Sequence, residues 1–185
     1  MRLHLGCGPR RIPGFVHVDL ADHPHIDHRA RIDALPFVAD ASVALIYCSH
    51  ALEYLDALEA AAALREWRRV LRPGGLLRLA VPDFAALVQL YRQTGELDRI
   101  VGPLYGRIEI VDEQGQPRTL FHKTVYDEAT LTRALREAGF VAVRHWDWRQ
   151  TEHAQIDDHS QAYFPHMDKA GGLLLSLNLE ARKPE

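Results

Sequence analysis

Gly6 and Gly8 flank a turn that follows an apolar run in the stretch LHLGCG, and a second apolar run, FVHV, ends in Asp19. Glycines at such a turn let a ligand approach the main chain closely and adopt dihedrals that other residues resist. A carboxylate at a strand end accepts two hydrogen bonds at once, which suits a ribose diol. Asp33, followed by Ala34-Leu35-Pro36-Phe37, sets an acceptor beside an apolar surface, which suits an adenine ring and its exocyclic amine. Singly, a tight turn or a helix cap explains each feature. In order, at successive strand ends, they point to a nucleoside cofactor. The spacing departs from the dinucleotide fingerprint G-x-G-x-x-G, which places its acid roughly 20 residues further on. Here Arg11 holds the third glycine position, and Asp19 comes only 11 residues after Gly8.

Histidine is the other reactive residue type in quantity, with eleven copies spread from His4 to His166. Its imidazole is the natural base near neutral pH. His122, Lys123 and Tyr126 stand just before a helix that starts at Asp127. His153, Asp157, Asp158, His159, Tyr163 and His166 crowd a later polar segment. The run HPHIDH at 23–28 has no helical or strand frame to fix ligand geometry. It reads as a solvated loop, and no metal site is expected.

Strand-like and helix-like runs alternate in the first half, the pattern of a mostly parallel sheet. Strands are expected over 3–5, 15–18, 30–32 and 42–47, with the polar stretch 21–30 as a loop. Asp56 with Glu59 forms a capping-box signature. Ala60, Leu64, Trp67 and Leu71 then make one helical face, and Pro73-Gly74-Gly75 ends the helix at Arg72. A strand LLRLAV and a helix over 84–93 follow. Asp127 caps a helix through Ala138, which Gly139 stops, and 140–148 is a strand. In the final strand, 173–181, Leu173, Leu175, Leu177 and Leu179 share one face and Ser176, Asn178 and Glu180 the other. That alternation fits an antiparallel strand with one less buried side. Segments 95–124 and 149–172 lack strong periodicity and are expected to fold over the carboxyl edge of the sheet. Pro9, Pro13 and Gly14 argue against a helix between the first two strands. One sheet face then needs cover from a neighbouring segment or a second subunit, so a homodimer is an expectation.

A chain of 185 residues most simply forms one domain. The net charge of −3 argues against a dedicated nucleic-acid binder. Cys7 and Cys48 make no disulfide framework. The chain enters a strand at Arg2 without room for a signal peptide, and no apolar run reaches membrane-span length. A cytoplasmic location is the expectation.

The segments LHLGCG, VDL, LPF, SHALEYL, LREWRRVLRPGGLLRLAVPD and LTRALREAGF resemble class I S-adenosylmethionine-dependent methyltransferases of the type 11 kind. The resemblance covers 3–83 and resumes over 127–148. HKTVYDEATL and DDHSQAYFPHMDKAGGLLLSLNLEA are similar to a bacterial subgroup associated with surface-polysaccharide synthesis. The resemblance implies an α/β, Rossmann-like, seven-stranded and mostly parallel sheet, with an antiparallel last strand and the first linking helix reduced to a loop. It implies S-adenosyl-L-methionine as cofactor. Gly6, Cys7 and Gly8 would lie against the methionine part, Asp19 with Leu20 at the ribose, and Asp33, Ala34 and Leu35 at the adenine. Ser49 and His50 would approach the methionine portion or the methyl group. The family's usual histidine after Leu-Glu is Tyr54 here; Glu53 matches, with a structural role at the helix start as the alternative.

Methyl transfer needs the nucleophile, methyl and sulfur held in line. An oxygen nucleophile also needs a base, for which His122 and His159 are the candidates. The acceptor is expected to be a small molecule or a sugar. The Asn/Asp-Pro-Pro-aromatic turn of many amino-group methylating enzymes is replaced by Tyr47-Cys48-Ser49-His50. A non-catalytic cofactor-binding sensor or scaffold is the alternative. A nicotinamide oxidoreductase is disfavoured by the missing glycine, the short link to Asp19 and the antiparallel finish.

Overall fold

The computed structural model describes residues 1–111 and 115–185. Strands β1 (Arg2–Leu5), β2 (Val16–Asp19), β3 (His28–Arg29) and β4 (Val43–Ser49) precede helix α1 (Ala57–Val70) and the long strand β5 (Leu71–Pro82). Helices α2 (Phe84–Thr94) and α3 (Asp98–Tyr105) lead into a hairpin of β6 (Ile108–Val111) and β7 (Pro117–Leu120). Helix α4 (Glu128–Glu137) and strand β8 (Val141–His145) follow. The short pair β9 (Tyr163–Phe164) and β10 (Leu173–Leu174) leads to β11 (Ser176–Arg182).

Seven strands form one sheet in the order β3-β2-β1-β4-β5-β11-β8. Only β11 runs antiparallel, to both of its neighbours. This is the expected Rossmann-like sheet. Strand order reverses between β1 and β4, so a crevice opens beyond the carboxyl ends there.

Successive strand residues point to opposite faces, and here the two faces differ chemically. One is apolar: Leu3, Leu5, Ile46, Leu77 and Leu179 pack under Leu64 and Trp67 of α1 and Leu131 and Leu135 of α4. Each fully buried leucine there contributes roughly 1.5–3 kcal/mol. Helix α1 starts at the expected capping box, with Asp56 accepting from the Leu58 and Glu59 amides and Glu59 accepting from the Asp56 amide. The Trp67 indole donates to the Ile32 carbonyl at 2.7 Å, and Arg69 donates to the carbonyls of Leu35 and Val38. The link from β3 to β4 therefore lies along α1 without a helix of its own.

The other face carries a polar row. Strand register aligns His17, His4, Tyr47, Arg78, Glu180 and Arg144 side by side across six strands. Residues 6–15 form turns, as Pro9, Pro13 and Gly14 foretell, so no helix covers this row from the β1–β2 link. The segment 146–162 covers it instead. Trp146 packs with Ile12, Phe15 and Tyr47, and the His153 ring lies 4.2 Å from that of Tyr47. Arg78 donates to His153 at 3.3 Å, and the Tyr47 hydroxyl donates to Asp158. Of the two expected covers, a chain segment or a second subunit, the chain's own segment thus lies on this face.

Several expectations change. Helix α1 ends at Val70 rather than Arg72, and Leu71 opens β5 instead of closing the helical face. The final strand expected over 173–181 is two strands, because Leu173–Leu174 pairs with β9 and β11 starts at Ser176. The third strand is His28–Arg29 rather than 30–32, because it pairs with Val18 and Asp19 inside the stretch read as loop. The segment 95–124 contains α3 and the β6–β7 hairpin. The segment 149–172 divides: His153 and Ile156 lie on the sheet face, Asp158, His159 and Ala162 reach the cavity at the edge, and Phe164 packs with α2. Both faces of β11 are buried, since Ser176, Asn178 and Glu180 lie beneath that segment. They are satisfied there: Asn178 donates to the Ser160 carbonyl at 2.9 Å, and Arg144 donates to Glu180 at 2.8 Å.

His4, 2% exposed within this row, is pushed from 6.5 down to about 3, first by burial and then by nearby His17 and His153. Below pH 6.5 the unfolded chain takes up a proton that the folded chain refuses. The stability contribution is therefore complete above 6.5 and is lost as pH falls. Between pH 7.5 and 5.5 that loss is about 1.4 kcal/mol. Urea unfolding should show stability falling over this interval, with a fall about 1.4 kcal/mol smaller in His4→Gln. Identical pH profiles for the two proteins would contradict this account.

Candidate active site

The chain leaves β1 through a turn in which Gly6 and Gly8 have φ of +63° and +53°. The Gly6 amide donates to the Val18 carbonyl at 2.8 Å. A Cβ on Gly6 would sit 2.3 Å from the Ala51 Cβ, so the turns after β1 and β4 touch through the missing side chain. A Cβ on Gly8 would meet nothing within 4 Å, because open cavity lies beside it. Asp19 ties this turn to β2: it accepts from the Gly8 amide at 2.7 Å and from the Ala21 amide at 2.8 Å. A carboxylate has about four acceptor sites, so capacity remains. Burial first, then the Asp19 charge, pushes the Cys7 thiol up to about 12. Cys7 is a neutral wall residue at physiological pH.

These turns open into a cavity of about 1070 Å³ at the carboxyl ends of β1, β2 and β4. Small-ligand sites span about 300–1,000 Å³, so there is room for more than one ligand. Gly6, Cys7, Gly8, Asp19, Leu20, Asp33, Ser49 and His50 all line it. Ala34 and Leu35 do not. Leu35 is buried in the core, its amide donating to Glu66 of α1 at 2.9 Å, and Ile32 lines the cavity instead. The Asp33 carboxylate is gripped by the Arg31 guanidinium at 2.9 and 2.6 Å. The roof comes from α3, the hairpin and the chain returning from it, through Gly102, Pro103, Ile108, His122 and Lys123.

Five histidines line this cavity, and three of them come from separate elements that meet on the side away from Asp19: His50 after β4, His122 after β7, and His159 from the segment preceding β9. His50 has φ +52°, a strained conformation that costs of order 1–3 kcal/mol and persists where surroundings over-determine it. Its Nε2 lies 3.0 Å from the Ser176 hydroxyl, and its ring is 5.2 Å from that of His159. His122 packs edge-on to Tyr54 at 4.6 Å and lies over Gly106, where a Cβ would come within 1.9 Å of the ring. Burial lowers the pKa of all three, aided at His50 by the other two histidines and at His159 by Arg10. Neutral imidazoles at pH 7 can accept a proton.

The other candidates from the two segments divide. Lys123 and Asp158 reach the cavity wall, with Lys123 paired to Glu59 at 2.7 Å. His153 lies on the covered sheet face, Asp157 pairs with Lys169 at 3.0 Å, and Tyr163 meets Trp148 and Arg149. Tyr126 is buried, bridged through the main chain to Asp83. Sequence reasoning does not single out Arg10 and Ile32, which line the cavity, or the buried Ser176, which meets His50 from β11. Arg10 adjoins the glycine turn, a signal that was available. Ile32 and Ser176 carried none, because their place depends on α1 and on the register of β11.

A family model described as a methyltransferase domain matches residues 13–79. The match begins beyond the glycine turn and includes Asp19, Asp33, Ser49 and His50. No curated protein matches the sequence. Among solved structures, a Burkholderia thailandensis 1,6-didemethyltoxoflavin-N1-methyltransferase with bound 1,6-didemethyltoxoflavin and S-adenosylhomocysteine has a TM-score of 0.57 at 14% identity, covering 100% of this chain and 71% of that one. A SAM-dependent methyltransferase from Methanosarcina mazei has a TM-score of 0.57 at 18% identity, covering 99% and 92%. An S-adenosylmethionine-dependent methyltransferase from Mesorhizobium loti has a TM-score of 0.54 at 16% identity, covering 98% and 90%. Likeness of this kind establishes the shared fold. Among the described residues, no helix is long and apolar enough to cross a membrane.

The two glycines should respond differently to alanine. Both pay the left-handed backbone penalty of about 1–2 kcal/mol, but only Gly6→Ala also drives a methyl group into Ala51. Urea denaturation should find Gly6→Ala less stable than Gly8→Ala by about 1–3 kcal/mol, the usual range for overpacking. Equal stabilities would mean that the two turns are further apart than described.

Proposed function

We propose that this protein is an enzyme that uses S-adenosylmethionine to methylate a small-molecule or sugar acceptor. One observation carries the reading: the Gly6–Gly8 turn, Asp19 and a cavity of about 1070 Å³ come together where strand order reverses. The match of residues 13–79 to a methyltransferase domain supports it independently. So does the bound S-adenosylhomocysteine of the Burkholderia thailandensis relative, which shares the fold.

The residues present fit the cofactor. The space beside Gly8 is open, Asp19 keeps acceptor capacity, and Ile32, Ala51 and Leu55 provide apolar wall. Gly6, Cys7, Gly8 and Ser49 would hold the methionine part, Asp19 and Leu20 the ribose, and Asp33 with Ile32 the adenine. When bound, the cofactor supplies a sulfonium-borne methyl group for in-line displacement. The cavity walls align the acceptor with that methyl group. His122 or His159 takes the proton of an acceptor hydroxyl, a role that their lowered pKa values keep open at pH 7. The similarity of 122–131 and 157–181 to a subgroup associated with surface polysaccharides favours a sugar hydroxyl.

Calorimetry with S-adenosylmethionine, S-adenosylhomocysteine and NAD tests this reading. The first two should bind and NAD should not. Asp19→Ala should weaken S-adenosylhomocysteine binding at least about 100-fold, since hydrogen bonds to a charged group are worth roughly 1.5–3 kcal/mol each. Binding of NAD alone would overturn the proposal. Tight cofactor binding without methyl transfer to any sugar or small-molecule acceptor would point to a sensor instead.

A further inference from the structure

Glu53 lies behind the cavity wall formed by His50, Ala51, Tyr54 and Leu55. It is 1% exposed, and neither carboxylate oxygen has a hydrogen-bond partner. Its Oε1 lies 3.5 Å from His50 Nδ1 and 3.7 Å from His122 Nε2. Its carbonyl accepts from the Lys123 and Thr124 amides at 2.8 and 3.2 Å. One residue thus pins the chain returning from the hairpin to the turn after β4. The same residue sets an acid between imidazoles of both segments.

An ionised carboxylate buried without donors costs several kcal/mol. Burial accordingly pushes Glu53 up to about 8, which leaves it protonated at neutral pH. Its other neighbours cannot supply compensating charge. His50 and His122 are held neutral by burial, His159 beyond them likewise, and the Cys48, Tyr54 and Tyr126 protons are held more tightly. A cation entering the cavity changes this balance. Opposite charge nearby favours the carboxylate, and S-adenosylmethionine differs from S-adenosylhomocysteine by carrying a sulfonium charge and a methyl group.

We propose that Glu53 stores the proton that methyl transfer to a hydroxyl releases, receiving it through His50 or His122. The proposal rests on the methyltransferase reading and narrows its acceptor to a hydroxyl. With the sulfonium compound bound, Glu53 gives its proton to solvent and the charge pair is neutral overall. In the transfer, the oxygen–carbon bond forms as the sulfur–carbon bond breaks. The hydroxyl proton passes to an imidazole and on to Glu53. A neutral thioether and a neutral acid remain, so atoms and charge balance. Glu53 touches neither reactant in this scheme and acts as a positioning residue through the histidines.

The test counts protons and needs no acceptor. Titrations of S-adenosylmethionine and S-adenosylhomocysteine at pH 7, in buffers of different ionisation enthalpy, should show close to one more proton released by the former. The affinity ratio of the two compounds should rise up to about tenfold per pH unit below 8 and level off above it. Both effects should vanish in Glu53→Gln that still binds S-adenosylhomocysteine as the native protein does. Equal proton counts and a flat ratio in the native protein would overturn the proposal and leave the methyltransferase reading standing. The native-protein measurements decide even when the variant does not fold. Persistence of the difference in Glu53→Gln would assign the proton elsewhere and overturn it. Failure of both compounds to bind would overturn the methyltransferase reading and the proposal together.

Discussion

Ala51 occupies the space that a side chain on Gly6 would need. This contact fixes how closely the turn after β1 approaches the turn after β4. The first turn carries Gly8 and, through its amide, the Asp19 carboxylate. The second carries Ser49, His50 and Glu53. Were the two turns apart, the reversal of strand order would still leave a crevice there. The acceptors on one side and the imidazoles on the other would no longer face a common volume. The contact is cheap in chain length and depends on one absent methyl group.

The compressed β1–β2 link has a cost on the sheet. Without a helix from that link, the polar row from His17 to Arg144 is covered by 146–162. This segment packs with aromatic rings and hydrogen bonds more than with aliphatic side chains. The apolar face under α1 and α4 contributes most of the hydrophobic stability. The polar face contributes registry, because its hydrogen bonds, such as Arg78 to His153 and Asn178 to the Ser160 carbonyl, form only with the strands and the cover in this alignment. It also makes the protein's stability depend on pH through histidines that must stay neutral. The same segment then continues to Asp158 and His159 at the cavity edge, so the cover of the sheet and part of the site are one piece of chain.

Some of this was legible residue by residue. The Asp56–Glu59 capping box, the glycine turn, the loop enforced by Pro9 and Pro13, and Asp19 at the end of β2 stand where sequence reasoning puts them. Each is settled by groups a few residues apart, through dihedral limits and short hydrogen bonds. The family resemblance places Leu35 at the adenine, yet it does not line the cavity. Glu66, Trp67 and Arg69 of α1 hold its link against the helix, and the side chain is drawn into the core. The third strand lies earlier than its composition suggests, because its pairing with Val18 and Asp19 makes it a strand.

The Asp56–Glu59 capping box, the compressed first link and the glycine–aspartate edge belong to the sequence alone, because local backbone chemistry decides them. Tertiary structure decided which face of the sheet is polar and what covers it. It also decided that His50, His122 and His159 meet, and that Glu53 lies unpaired behind two of them. Those outcomes rest on strand register and on long-range packing, where side chains distant in the chain compete for one enclosed volume. No local pattern records the result of that competition.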